Sequence, residues 1–229
     1  MFKKIAIVLL VAVGGFLAFA ATLPDTYRVE RTMAIEAPAA VVFGNVDNFK
    51  TWSAWSPWDK MDPHMQKTFS GPDKGVGAAY AWQGNEKVGK GSMTITGIEA
   101  PSRATYRLEF LEPFAAVATT NFIIAAQGEK NSTITWAMDG DNNFVGKIFS
   151  VFMNMDKSIG GDFERGLAAL KILAESQAKT LAEEAAAAKA KAESDAAATV
   201  KAQAEADAAK AAAEAEAAEA AKGKGKGKR

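Results

Sequence analysis

The chain has 229 residues, in which 27 basic side chains balance 27 acidic ones, with one histidine and no cysteine. The missing cysteine excludes disulfides and thiolate sites, and a lone His64 leaves little for Ser-His catalysis or for zinc beyond carboxylate-rich geometries. Charge is unevenly spread: residues 1–22 carry two lysines and no acid, residues 23–176 carry 15 basic and 18 acidic side chains, and residues 177–229 carry 10 and 9.

The chain begins with MFKK and then runs through 19 uncharged, almost wholly apolar residues, 5–23. As a helix this run is about 28 Å long, close to the thickness of a bilayer core. Two outcomes are open. The run is an uncleaved anchor, or it is a secretory signal cut after the A-x-A-like Ala18-Phe19-Ala20. Lys3 and Lys4 stay in the cytoplasm in both, which puts everything after Pro24 outside it. The expected location is therefore single-pass in a membrane with the domain outside the cytoplasm, or secreted or periplasmic after cleavage near Ala20.

Residues 26–37, TYRVERTMAIEA, alternate Tyr27, Val29, Arg31, Met33 and Ile35 with polar neighbours, the pattern of a half-buried strand. Ala37-Pro38 opens a short helix, with Val42, Val46 and Phe49 on one face. A second helical turn carries Trp52 and Trp55 on a shared face and stops before Ser56-Pro57. Three of the chain's five tryptophans thus fall within seven positions. Trp52 and Trp55 are expected inside, and Trp58, past the break, at a cavity rim.

Six strand-like stretches follow, at 65–70, 75–83, 89–100, 102–110, 115–127 and 132–139. Gly71-Pro72-Asp73, Gly84-Asn85, Ala100-Pro101, Glu112-Pro113 and Gly128-Glu129 separate them, and this spacing predicts an antiparallel meander. Tyr80, Trp82, Met93, Ile95, Tyr106, Leu108, Phe110, Ile134, Trp136 and Met138 share one parity and one apolar sheet face. From Phe144 the period changes. Ile159, Phe163, Leu167, Leu170 and Leu173 or Ala174 make a helical stripe opposite Asp162, Glu164, Arg165 and Lys171. Gly160-Gly161 costs this helix about 1 kcal/mol per residue, which predicts a start near Asp162.

Residues 177–221 are rich in Ala, Lys and Glu and lack an apolar stripe, so a solvated helix is expected and a coiled coil is not. The last eight residues, KGKGKGKR at 222–229, carry five positive charges. They suit anionic polymer or lipid head groups through salt-sensitive contacts, or serve only for solubility. No specific nucleic acid partner is expected.

One strand, two small helices, six strands and a long amphipathic helix make an α+β domain. Over residues 27–175 the order and the residues resemble the SRPBCC family, the START-related helix-grip proteins often labelled polyketide cyclase/dehydrase. The resemblance is carried by YRVERTMAIEAPAAVVFGNVDNFKTWSAWSPW, WQGNEKVGKGSMTI, TITWAMDGDNNF and MDKSIGGDFERGLAALK. It implies a curved seven-stranded antiparallel sheet gripping the C-terminal helix, with an apolar cavity between them that takes lipids, sterols or polyketides in many members. The expected domains are 1–23, a membrane anchor or signal; 24–176, the helix-grip body; 177–221, the Ala-rich tail; and 222–229, the basic terminus.

Small residues in the strands, among them Gly77, Ala78, Ala79, Ala81, Ala115, Ala116, Ala118, Ala125 and Ala126, leave space for a cavity or for close helix–sheet contact. The cavity or rim candidates are Trp55, Trp58, Tyr80, Trp82, Met93, Ile95, Tyr106, Leu108, Phe110, Trp136, Phe163 and Leu167. An apolar small molecule or lipid is the expected partner, besides the membrane that takes residues 5–23. No cofactor or metal is expected. DGDNN, 139–143, lacks the length and terminal Glu of a calcium loop. Proton carriers for an enzyme of the cyclase or hydrolase kind would be Tyr80, Tyr106, Glu109 or Asp139. A third reading is an envelope scaffold whose domain is merely a folded body.

Overall fold

The computed structural model describes residues 2–152 and 154–225, with side chains as far as residue 218. The basic terminus, 222–229, has no described side chains. The chain divides into two compact units, residues 1–178 and 179–229.

The first unit starts with α1 (Phe2–Ala21), then β1 (Thr26–Ile35), α2 (Ala39–Gly44), a 3-10 turn (Phe49–Ala54) and α3 (Pro57–Met61). Six strands follow: β2 (Gln66–Ser70), β3 (Ala79–Gln83), β4 (Lys90–Glu99), β5 (Arg103–Glu112), β6 (Ala116–Ala126) and β7 (Ser132–Asp141). Then come α4 (Phe144–Phe152) and α5 (Met155–Gly225). Strands β2 to β7 form a meander, and β1 pairs antiparallel with β7, giving the order β1-β7-β6-β5-β4-β3-β2. A register shift between Ile95 and Gly97 bends β4 against β5, a local device for curving a sheet. The result is an α+β helix-grip fold with a curved, open, antiparallel seven-stranded sheet.

Two glycines are fixed by space as well as by backbone angle. Gly71 (φ +76°) opens the turn after β2 and Gly89 (φ +67°) closes the turn before β4; a Cβ there would lie 2.2 Å from the Gly77 carbonyl and 2.3 Å from the Glu112 carbonyl, respectively. No other residue fits there without moving backbone.

Aromatic rings dominate the core. Trp52 and Trp55 are buried, as their shared helical face predicts. Their placement has a polar cause too. The end of α2 frees the carbonyls of Asn45 and Val46, which become acceptors for buried ring donors. Trp55 Nε1 donates to Asn45 O at 3.1 Å; Trp52 Nε1 and the Tyr106 hydroxyl both donate to Val46 O, at 3.2 and 2.6 Å. One carbonyl with two lone pairs thus serves two rings that would otherwise bury unmet N–H and O–H groups.

The helix after the sheet begins at Met155, seven residues before the Asp162 that propensity predicts. Gly160 makes room for Arg31. Its guanidinium lies against Gly160, where a Cβ would sit 2.1 Å from Nη2. It donates to Glu164 Oε1 at 2.6 Å and to Asp156 Oδ1 at 2.9 Å. These charge-assisted bonds from β1 hold the first turns of α5, offsetting the low propensity of Gly160-Gly161. The change of period at Phe144 is a separate helix, α4.

In the second unit α5 is helical to Gly225, with exposed side chains over residues 179–218. Lys189–Glu193 and Lys201–Glu205 pair at 3.9 Å across one turn, a spacing worth a few tenths of a kcal/mol at most.

Candidate functional site

Along β3 to β5 the register stacks side chains in two rows on the inner sheet face. Tyr80, Met93 and Leu108 lie opposite one another in the first row, and Trp82, Gly91 and Phe110 in the second. Gly91 is the gap in this pattern. A Cβ there would meet Trp82 Cζ2 and Cη2 at 2.5 Å, so the indole lies flat over the strand and meets Phe110 edge-on, ring centres 6.1 Å apart. Trp82 Nε1 donates to Val88 O at 3.3 Å, which fixes the ring.

Above these rows lies a cavity of about 50 Å³, lined by Trp58, Met65, Tyr80, Trp82, Met93, Leu108 and Phe110. Its walls are apolar except at the ring heteroatoms. Six of the twelve expected residues meet here: Trp58, Tyr80, Trp82, Met93, Leu108 and Phe110. Met65 and Gly91 complete the arrangement and were not among the candidates. Parity was the available signal for Gly91, which falls in step with Met93; Met65 sits before β2, where no pattern points inward.

Of the other six candidates, Ile95, Tyr106, Trp136, Phe163 and Leu167 are buried in the core away from this cavity, while Trp55, also buried, lines a groove beside α5. The space directly under α5, expected to be hollow, is taken up by side chains. Trp136 of β7 stacks on Phe163 of α5 with ring centres 4.1 Å apart and planes 7° from parallel. At Gly166 the helix backbone comes so close that a Cβ would sit 2.8 Å from Trp136 Cζ3 and 3.1 Å from Pro57 Cδ. Most of the small residues that suggested space lie on the outer face or at strand ends. Of the nine named, only Ala78 and Ala118 are buried. Trp136 Nε1 is buried without a hydrogen-bonding partner among the described residues; Trp55 and Trp58 stand at 78° and 77° to its ring.

A short lid separates the cavity from a second space. Pro57 occupies the first turn of α3, where its missing N–H costs nothing. Trp58 of α3 faces the cavity, while Pro57, Lys60 and Met61 line an open groove of about 440 Å³ against Arg165, Ala168, Ala169 and Ile172 of α5. Polar contacts tether α3. Asp59 pairs with Lys67 of β2. Asp62 Oδ2 accepts from the Asn85 backbone N–H at 2.7 Å, and Met61 O accepts from Asn85 Nδ2 at 3.2 Å. Burial pulls the Lys67 ammonium below its usual range.

The four possible proton carriers are differently placed. Asp139 accepts both its bonds from Arg28 Nη1, at 2.7 and 2.8 Å, and Glu109 pairs with Arg107. Both alternate with inward residues and lie on the outer sheet face. The Tyr106 hydroxyl is spent on Val46 O. Only Tyr80 lies at the cavity. Burial pushes its phenol well above the ordinary range, so it stays a protonated donor at neutral pH. His64 is exposed in the turn before β2.

Residues 26–175 match the sequence profile of a family described as polyketide cyclase/dehydrase and lipid transport. No curated protein matches the sequence. Among solved structures, protein CV1439 from Chromobacterium violaceum is similar at 14% identity over 67% of this chain and 99% of its own, with a TM-score of 0.48. Truncated norcoclaurine synthase from Thalictrum flavum is similar at 13% identity over 65% and 92%, TM-score 0.48. Protein Ms6760 from Mycobacterium smegmatis gives 15% identity over 66% and 92%, TM-score 0.47.

Proposed function

The chain belongs to the polyketide cyclase/dehydrase and lipid transport family, and on that premise we propose that it is a membrane-tethered, exported domain that binds an apolar small molecule or lipid. The observation that carries this reading is the apolar cavity walled by Trp58, Met65, Tyr80, Trp82, Met93, Leu108 and Phe110. At about 50 Å³ it is well below the roughly 300–1,000 Å³ of ordinary small-molecule pockets, so the guest enters a site that must widen. Met65 and Met93 are the adaptable walls, being unbranched and able to change rotamer at little cost. Swinging α3 outward joins the cavity to the groove beside α5, which together reach the size of such pockets. Desolvation then drives binding at about 0.8 kcal/mol per buried methylene, less ordering costs. The Tyr80 hydroxyl, which has no hydrogen-bonding partner among the described residues, is free to donate to a polar group on the guest.

Helix α1 is long and apolar enough to cross a membrane, a property that signal sequences share. The lysines before it support an orientation with the domain outside the cytoplasm. Enzymatic turnover is disfavoured because Asp139, Glu109 and Tyr106 are engaged elsewhere, leaving Tyr80 without a second proton carrier beside it.

The test is photolabelling of the full chain in lipid nanodiscs with a long-chain fatty acid bearing a terminal diazirine. Labels on peptides covering 58–65, 80–93 and 108–110 are expected. Labels confined to α1 and α4, as lipid contact alone would give, refute the proposed site.

A further inference from the structure

Helix α4 is amphipathic: Phe144, Val145, Ile148, Phe149, Val151 and Phe152 make one apolar face, with Gly146, Lys147 and Ser150 opposite. Phe144, Val145, Phe149, Val151 and Phe152 are 40–74% exposed. An apolar face turned outward on an amphipathic helix needs a cover, from protein or from lipid. Its two polar side chains are turned to internal bonds: Lys147 is buried against Asp25 Oδ1 at 2.5 Å, and Ser150 Oγ donates to Lys147 O at 2.8 Å. The β5–β6 turn continues the patch with Leu111, Phe114 and Val117, 47–64% exposed, and Phe114 meets Phe149 with ring centres 5.4 Å apart.

The patch joins α1. Lys147 Nζ lies 3.5 Å from the Ala21 carbonyl at the end of α1, and Phe152 meets Phe16 with ring centres 5.6 Å apart. Phe152 is five positions after Lys147, and Phe16 is five positions before Ala21. The two helices therefore run antiparallel in step, and α4 descends about 7.5 Å along α1 from its outer end. That depth is comparable to the roughly 5–10 Å to which interfacial helices bury their apolar faces, reached here by a helix standing along α1 rather than lying flat. The ammonium of Lys147 stays at the level where α1 ends, beside its C-terminal carbonyls, where a cation is favoured.

We propose that α4 and the Leu111–Val117 turn form a second membrane contact, seating the domain on the bilayer with α4 in the boundary between head groups and acyl chains. The inference rests on α1 being retained as an anchor. Continuity with α1 at a matched depth selects lipid over a second copy of the chain as the cover.

The native chain has no cysteine, so single spin labels report without background. The full chain is placed at one copy per nanodisc, with labels at F114C, F149C and F152C. Controls are L10C within α1 and F69C, an exposed apolar position on β2. Labels at 114, 149 and 152 are expected to relax with oxygen and to lose relaxation by a water-soluble nickel chelate, as L10C does and F69C does not. Nickel access at 149 and 152 with L10C shielded overturns the seating while leaving the anchor intact. Loss of the L10C label by cleavage overturns the premise itself. Shielding from both oxygen and nickel, with spin–spin broadening when discs hold two copies, assigns the patch to a protein interface and overturns the proposal.

Discussion

Leu108 gives the most direct access to the site. It is 6% exposed, lies opposite Met93 and forms part of the cavity wall. Leu108→Ala removes three carbons, forfeiting about 2.4 kcal/mol of transfer free energy at roughly 0.8 per carbon. A further cost follows from the void left behind, because Trp82 and Phe110 cannot collapse into it: Trp82 is bonded to Val88 and lies flat on Gly91. Buried Leu→Ala changes span about 2.7–5.0 kcal/mol, and a loss of about 3–4 kcal/mol is expected here.

The same change enlarges the site. Each methylene a guest can add is worth up to about 0.8 kcal/mol, close to fourfold in affinity, so two give about fifteenfold. The assay is urea unfolding of the full chain in nanodiscs, followed by tryptophan fluorescence, with n-alcohols of increasing length. Bound alcohol raises stability by mass action, so the preferred length reads the cavity. Leu170→Ala is the control: Leu170 is fully buried but does not line the cavity, so it should cost at least as much stability with no change in preferred length. If Leu108→Ala loses stability as expected yet leaves alcohol length and affinity unchanged, the cavity is not the binding site.

Three other tests concern the frame around it. Gly166→Ala would normally gain about 1 kcal/mol in a helix, but the 2.8 Å approach to Trp136 sets an overpacking cost of about 1–3 kcal/mol against it; a full gain in urea unfolding would refute the close contact. Arg31→Ala is expected to speed amide exchange over residues 155–161 while β7 keeps its protection; unchanged exchange would show that α5 starts without the Arg31 clasp. Burial pushes the Asp47 carboxyl above its ordinary range against the opposing pull of Lys74, so the folded chain holds that proton to higher pH than the unfolded one. Its stabilising contribution is full below the ordinary carboxylate range and is lost as pH rises through the raised value. Asp47→Asn should therefore unfold at higher urea at neutral pH and match the parent in acid; the reverse order would refute the sign.

Parity carried most of the fold. Tyr80, Trp82, Met93, Leu108 and Phe110 could be put on one face because a strand repeats every two residues, and Phe163, Leu167 and Leu170 on one stripe because a helix repeats every 3.6. Such periodicity says which side a residue faces but not what fills the space there. That is why Trp136 and Phe163, correctly placed inside, were expected to line a hollow and instead stack on each other. Helix α4 was legible in principle, since 144, 145, 148, 149 and 152 keep helical spacing, but its nine residues were absorbed into the change of period read at Phe144. The start of α5 was misjudged because propensity cannot register a guanidinium brought by a strand more than a hundred residues away.

The distribution of bond types decides which element can move to admit a guest. Stacked and interlocked rings hold α5 to the sheet at Trp136, Phe163 and Gly166, and shifting it would break dispersion contacts all at once in a dry core. By contrast, α3 has five residues, one large ring in the interior and a set of polar tethers to Lys67 and Asn85. Water can replace each tether as it opens, so the net cost is about 0.5–1.5 kcal/mol for the Met61–Asn85 bond and about 1.5–3 kcal/mol for each of the two carboxylate bonds. Opening at α3 is thus the inexpensive motion, and it exposes Trp58, the ring that packs on Trp136 at the cavity wall. A helix of this length gains little from its own hydrogen bonds, which leaves tertiary tethers to set its position. On the proposed reading, entry is set by Asp59, Asp62 and Asn85, none of which lines the cavity, and weakening them should speed guest exchange without altering what the cavity accepts.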